Sequence, residues 1–205
     1  LVKRAIDMNT TEARSYPRRV RTEGGEIEFR HMTAADEAAV LAFAQKLPVH
    51  DLLFIPRNIS QPKVLSAWIK EIERGGMTSL LAWKGDTVVG CGTIVRDLLS
   101  WSPHVGEIRM VVSRDVRGQG VGRALSQETF ALALEQGLEK IIAQMTVDQT
   151  GAIALFESLG FKAEAWLRDQ VRDLAGNKHD IVVLGHDVGK VRAQLEAYGL
   201  PEAVG

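Results

Sequence analysis

The stretch Arg117-Gly118-Gln119-Gly120-Val121-Gly122-Arg123-Ala124 limits what this chain can become more than any other. It follows an apolar run, Ile108-Arg109-Met110-Val111-Val112, and opens a helix-like pattern. A strand that ends in a glycine turn and restarts as a helix leaves the first helical N–H groups unpaired and facing outwards. Glycine lets the backbone pass close to a ligand where a side chain would block it. The stretch reads as an anion cradle, and the anion as a pyrophosphate.

Bulk properties narrow the setting. The chain has 205 residues, 45% of them hydrophobic, enough for one domain with a real core. A net charge of −1 argues against nucleic acid as a partner. Cys91 is the single cysteine, so an intrachain disulfide is impossible and a reduced, cytoplasmic setting is expected. No apolar run approaches the ~20 residues of a membrane span, and the first residues lack the apolar core of a signal peptide. No spacing of His, Cys, Asp or Glu suggests a metal site.

Local patterns give an order of elements. Residues 1–25 read as an extension of mixed charge with a short strand at Arg19–Thr22. Glu26–Arg30 alternates as a half-buried strand does. Thr33 caps a helix that runs to about Lys46, and Pro48 stops it. Residues 47–61 read as a loop, followed by a helix at Gln61–Arg74 that Gly75-Gly76 ends. Strands are expected at Thr78–Lys84 and Thr87–Asp97, turned by Gly85-Asp86, and at Val105–Val112. After the glycine stretch come a helix to about Gln136, a strand at Lys140–Val147 and a short helix at Gly151–Leu159. Strands at Phe161–Arg172 and His179–Asp187 flank the turn 173–178, and 188–205 reads as a helical tail. The expected class is α/β, more narrowly an α+β mixed sheet. It is mostly antiparallel, with one crossover helix and helices on both faces.

A second motif gives the glycine stretch its meaning. Ala152-Ile153-Ala154-Leu155-Phe156-Glu157-Ser158-Leu159-Gly160-Phe161 resembles the alanine, apolar, aromatic, Gly-Phe helix of the GNAT N-acetyltransferase superfamily. Arg117-x-x-Gly120-x-Gly122 is similar to that family's (Gln/Arg)-x-x-Gly-x-(Gly/Ala) signature. The resemblance covers roughly 26–187 as the domain. It implies the acyl-CoA acyltransferase fold and acetyl-CoA as co-substrate. Backbone N–H groups of Arg117, Gly118, Gln119, Gly120, Val121, Gly122, Arg123 and Ala124 would hold the pyrophosphate. Met110, Val111 and Val112 would offer backbone to the pantetheine arm, through a bulge that splays their strand from the next. Arg114, Arg117 and Arg123 are candidates to meet phosphate oxygens, or plain surface charge.

Two positions depart from the family. Gln149 stands where many members have asparagine, an exchange of one amide for another. Phe156 stands where many have the tyrosine that protonates the departing thiolate, and phenylalanine has no proton to give.

The implied reaction is transfer of the acetyl group from acetyl-CoA to a primary amine by direct attack in a ternary complex. An ammonium has no lone pair, so a base is needed. Glu107, near the start of the strand that would carry the thioester, is the first candidate, and its other reading is a strand-end carboxylate. His104, just upstream, is the second. His50 and Asp51 lie in the loop that borders the acceptor in this family. Arg168, Asp169, Asp173, Gly176, His179 and Asp180 resemble a final hairpin of some members. There His179 and Asp180 either line the acceptor pocket or hold the turn. Among the tryptophans Trp101 is the candidate substrate platform, and Cys91 reads as core. The acceptor is a small-molecule or peptide amine, and the resemblance admits a homodimer. Two other readings stay open: a non-catalytic CoA-binding module, and a dinucleotide-dependent oxidoreductase that would use Gly118-x-Gly120 and Asp148.

Overall fold

Ile27 and Phe29 are fully buried on Gly25–His31 while Glu26, Glu28 and Arg30 between them are not. That period of two marks a strand with one face on a core. Eight strands make one sheet in the computed structural model, which describes residues 14–189. They are β1 (Arg18–Thr22), β2 (Gly25–His31), β3 (Met77–Lys84), β4 (Thr87–Arg96), β5 (Val105–Val112), β6 (Lys140–Thr146), β7 (Lys162–Arg172) and β8 (Lys178–Asp187). The helices are α1 (Glu37–Lys46), α2 (Pro62–Glu73), α3 (Val121–Glu135) and α4 (Thr150–Ser158).

The strand order is β1-β2-β3-β4-β5-β6-β8-β7. Every pairing is antiparallel except β5 with β6, which α3 joins as the crossover. A single parallel pair leaves no strand–helix repeat for a dinucleotide fold, so that reading falls. One core, with Leu80, Ile94, Leu125 and Leu184, lies between the sheet and α3 and α4. The other, with Val40, Leu65, Leu81 and Val111, lies under α1 and α2. Full burial of each such side chain contributes about 1.5–3 kcal/mol.

The elements match the expected ones to within a residue or two, with three differences. Thr33 does not cap the helix directly: a 3-10 turn at Ala34–Asp36 intervenes, with the Asp36 carboxylate accepting from Thr33 N and Oγ1. The loop 47–61 contains another 3-10 turn, Val49–Leu52. Most telling, the described part of the extension is built into the domain. β1 pairs with β2 along its whole length. Arg14, ahead of it, and Arg18, its first residue, reach Glu128 on α3 at 2.9 and 3.4 Å, and Tyr16 donates to the same carboxylate. Glu128 is buried, and a buried carboxylate needs such partners. Residues 1–13, and the tail beyond Gly189, lie outside the described residues. No described helix is long and apolar enough to cross a membrane.

Candidate active site

The glycine stretch turns where its glycines require it. Gly118 and Gly120 have φ of 72° and 79°, a left-handed backbone that other residues adopt at about 1–2 kcal/mol. Gly120 then caps α3, and Ala124 N donates to its carbonyl. Among the described residues the amides of Gly118, Gln119, Gly120, Val121, Gly122 and Arg123 have no hydrogen-bond acceptor. Six donors in a row at the positive end of a fifteen-residue helix form a ready anion site. The turn before β2 steadies it, since Gly24 N donates to Gln119 O while Gln119 Nε2 donates to Asp115 O. Arg123 is exposed and has no partner among the described residues. Arg117 is engaged: Nη2 donates to Asp51 Oδ2 at 2.6 Å and to Val112 O at 3.3 Å. Arg114 stands 3.9 Å from the same Asp51 oxygen.

Beside the cradle the sheet opens. β5 and β6 pair from Val105↔Lys140 to Ile108↔Ala143 and then part. β5 keeps β4 up to Gly90↔Val112, and β6 keeps β8 up to Thr146↔Ile181. The backbone of Arg109–Val112 therefore has an edge with no strand against it. The expected bulge is absent: the β4–β5 register runs unbroken, so each strand simply follows its other neighbour. Met110 and Val112 pack toward α3, while Val111 belongs to the core under α1 and α2.

On the α1–α2 side of β5 lies a cavity of about 480 Å³. Val111, Met110 and Cys91 form its floor, and Trp68, Val64 and Ile55 its walls. Arg57, Glu71, Thr93 and Arg109 supply its polar groups. Glu107 points to this side but is held: Arg109 donates to both carboxylate oxygens at 2.9 and 2.8 Å. His104 is not at the gap. Its carbonyl accepts from Glu139 and Lys140 at the closed end of β5. The six residues from there to Met110 span about 20 Å of strand. Trp101 sits exposed in that same distant loop, so the tryptophan at the cavity is Trp68, anchored by its Nε1 donating to Ser79. Cys91 is buried, and burial pushes its thiol up to about 12 against the opposing Thr93 contact.

Gln149 caps α4 with its side chain unbonded among the described residues. Phe156 is core, edge-on to Phe161 at 5.0 Å, which leaves the tyrosine position with an apolar ring in an apolar setting. Asp148 does not stand free for a ribose. It faces His50 Nε2 at 2.9 Å. Asp180 holds the hairpin, accepting from Trp166 Nε1 and Asp169 N. Asp173 holds the turn, accepting from Asn177 and Ala175. His179 leaves that turn and meets the ring of His50. Among the described residues no three His, Cys, Asp or Glu side chains are arranged to hold a metal ion.

Three of these contacts have little signature in the chain. Glu107 and Arg109 share a strand face at i and i+2, a hint that alternation alone offers. His50 with His179, and Asp51 with Arg117, join segments that only the fold brings together.

Known proteins match this chain in both sequence and shape. The family model described as acetyltransferase (GNAT) family matches residues 48–161. A mycothiol acetyltransferase of Geodermatophilus obscurus is 34% identical over 88 residues, 42% of this chain. The chain spans only 29% to 37% of the length of the first curated relatives it matches. A ribosomal-protein-alanine N-acetyltransferase from Brucella melitensis superposes with TM-score 0.66 at 24% identity, covering 78% of this chain and 98% of that one. A Salmonella typhimurium structure that contains its cofactor acetyl-CoA superposes with TM-score 0.67 at 19% identity, covering 79% and 94%.

Proposed function

The chain belongs to the acetyltransferase (GNAT) family, and on that premise we propose that it transfers the acetyl group of acetyl-CoA to a primary amine by direct attack in a ternary complex. One observation carries the reading. The unbonded amides of 118–123 lie next to the unpartnered edge of β5, so a diphosphate and an extended arm can be held by backbone alone. The amides of Gly118–Arg123, with Arg123 as a charged donor, grip the pyrophosphate. Met110, Val111 and Val112 pair with the pantetheine arm as a strand would, and the Gln149 amide adds a polar contact. The backbone N–H of Val112, which turns away from β4, steadies the carbonyl oxygen as it gains charge.

The cavity beside Val111 takes the acceptor. Its lining of Trp68, Ile55, Val64 and Val111 suits an amine on an apolar or aromatic body, with Glu71 able to meet the ammonium. Such a body is found in small molecules and in protein N-termini alike. Holding amine and thioester side by side supplies much of the acceleration.

Phe156 favours a second reading, a CoA-binding module without turnover, because that position offers an apolar ring and no phenol to the leaving sulfur. The deficit is small. A thiol with pKa of about 8.5 leaves as thiolate near neutrality at about 1.4 kcal/mol for each unit above the ambient pH. Calorimetric titration with acetyl-CoA and NADH, followed by thiol release across a panel of aliphatic, aromatic and peptide amines, separates these readings. Binding of acetyl-CoA alone and amine-dependent thiol release are expected. Tight binding with no release for any amine returns the module.

A further inference from the structure

Opposite β5, across the opening, the far wall carries a group of titratable side chains with no part in holding the coenzyme. The β5–β6 register, continued past Ala143, would set Thr146 against Val111. Thr146 is fully buried and faces the α1–α2 side, as Val111 does. His50, on the 3-10 turn after α1, reaches over to this wall. Its Nε2 lies 2.9 Å from Asp148 Oδ2 and 3.4 Å from Thr146 Oγ1. His179 lies two residues before Ile181, the β8 partner of Thr146, and so shares that side. Its ring meets His50 edge-on, with centroids 5.2 Å apart, and its Nε2 lies 3.1 Å from Asp173 Oδ2.

Each imidazole thus turns Nε2 to a carboxylate. In the neutral ring the proton sits on that nitrogen and the lone pair on Nδ1. No described residue bonds either Nδ1. A carboxylate that fixes the tautomer and then steadies the imidazolium is the arrangement a general base needs. Glu107 has no such freedom, since both its oxygens are taken by Arg109.

We propose that His50, oriented by Asp148 and packed edge-on by His179, is the general base of the acetyl transfer. This rests on the acetyltransferase reading above. The acceptor ammonium gives one proton to His50 Nδ1. The freed nitrogen pair forms the N–C bond to the carbonyl carbon as the C–S bond breaks, and that bond's electron pair leaves on sulfur. The second N–H proton goes to the thiolate, and the first leaves His50 for water. A side-chain exposure of 37% for His50 leaves that exit open. The charged groups that face His50 are few. Asp51, on its own turn, is taken by Arg117 and Arg114. Asp148 follows β6, His179 is on β8, and Asp173 is in the β7–β8 turn. Burial pushes the Asp148 carboxyl up, but the Thr146 hydroxyl and the two imidazoles outweigh it, so Asp148 stays ionised beside His50.

The test compares the full chain with its H50Q and D148N variants by acetyl-CoA calorimetry, kcat across pH and labelling by diethylpyrocarbonate. H50Q is expected to lower kcat about 10²- to 10³-fold and to abolish the rising limb of the pH profile, with acetyl-CoA affinity unchanged. D148N, which keeps the imidazole, is expected to lose about tenfold and to move that limb. Acetyl-CoA is expected to slow labelling of His50, a readout that needs no acceptor. A kcat within threefold of the parent for H50Q, or His50 labelled equally fast with and without acetyl-CoA, overturns the proposal while the transferase reading stands. A parent chain that binds no acetyl-CoA overturns both.

Discussion

Replacing Gly120 and Gly122 by alanine, one at a time, is expected to move stability in opposite directions, although both glycines belong to the same loop. At Gly120 the backbone has φ of 79°. An added Cβ would meet only Thr22 Cβ at 3.8 Å and Glu23 N at 4.0 Å, ordinary contact, so crowding adds nothing. The penalty is conformational, about 1–2 kcal/mol for an L-residue in that region. Gly122 is the second residue of α3 with an ordinary helical backbone. Its Cβ would touch Val112 Cγ2 at 3.8 Å and Leu155 Cδ2 at 4.0 Å, again without strain. There alanine gains up to about 0.8–1.0 kcal/mol in helix propensity. In a chain of this size 1 kcal/mol moves Tm by about 2–4 °C. G120A should therefore melt about 2–8 °C below the parent and G122A up to about 4 °C above it. Binding should divide in the same way. Relaxing φ at Gly120 re-aims the amides around it, and about 1.4 kcal/mol of lost contact is tenfold in Kd for acetyl-CoA. G122A keeps its N–H in place and should bind within about threefold of the parent, less than 1 kcal/mol. Scanning fluorimetry and calorimetry read both quantities. A G122A variant that melts below G120A, or a G120A variant unchanged in Tm and Kd, would refute this account of the loop.

Other expectations follow from single groups. E128Q removes the ionic partner of Arg14 and Arg18 at a buried site and should lose about 1.5–3 kcal/mol in urea unfolding. Cys91, pushed up to about 12 by burial, should ignore Ellman's reagent at pH 8 in the native protein and react fully once unfolded, which a labelling time course in urea records. The Asp173 carboxyl is held well below its usual range by Asn177 and then His179. A group whose pKa falls on folding stabilises the fold above its unfolded value of about 3.9, and that stability is lost as pH drops through the lowered native value. D173N should therefore flatten the fall of Tm between pH 5 and 2, as melts across that range would record.

The frame of the molecule was readable because its signals are local. Val105–Val112 is a strand of the expected length, Gly137 ends α3 with a φ of 74°, and Gly85-Asp86 turns β3 into β4. The cradle was readable because a strand, two left-handed glycines and a helix start are adjacent in the chain. The reacting side of the site was not. Glu107 looked like a free carboxylate, and only its i+2 neighbour Arg109, on the same face, betrays the bond that occupies it. His104 adjoins the strand expected to carry the thioester, but at the end where that strand stays paired with β6. His50 and His179 meet through folding alone, where no periodicity reaches. Arg14, Tyr16 and Arg18 fall in what reads as an extension of mixed charge, because their partner, Glu128, lies on a helix more than a hundred positions later.

That attachment has a mechanical consequence. The outermost strand, β1, is riveted to the middle of α3, and the turn that follows it rests on Gln119, just ahead of the first residue of the same helix. Edge strands are where a sheet comes undone first. If the loop holds a diphosphate as proposed, their loosening would slacken that anchorage, and a seated coenzyme would in turn hold the margin of the sheet shut. Peeling and release become two descriptions of one equilibrium.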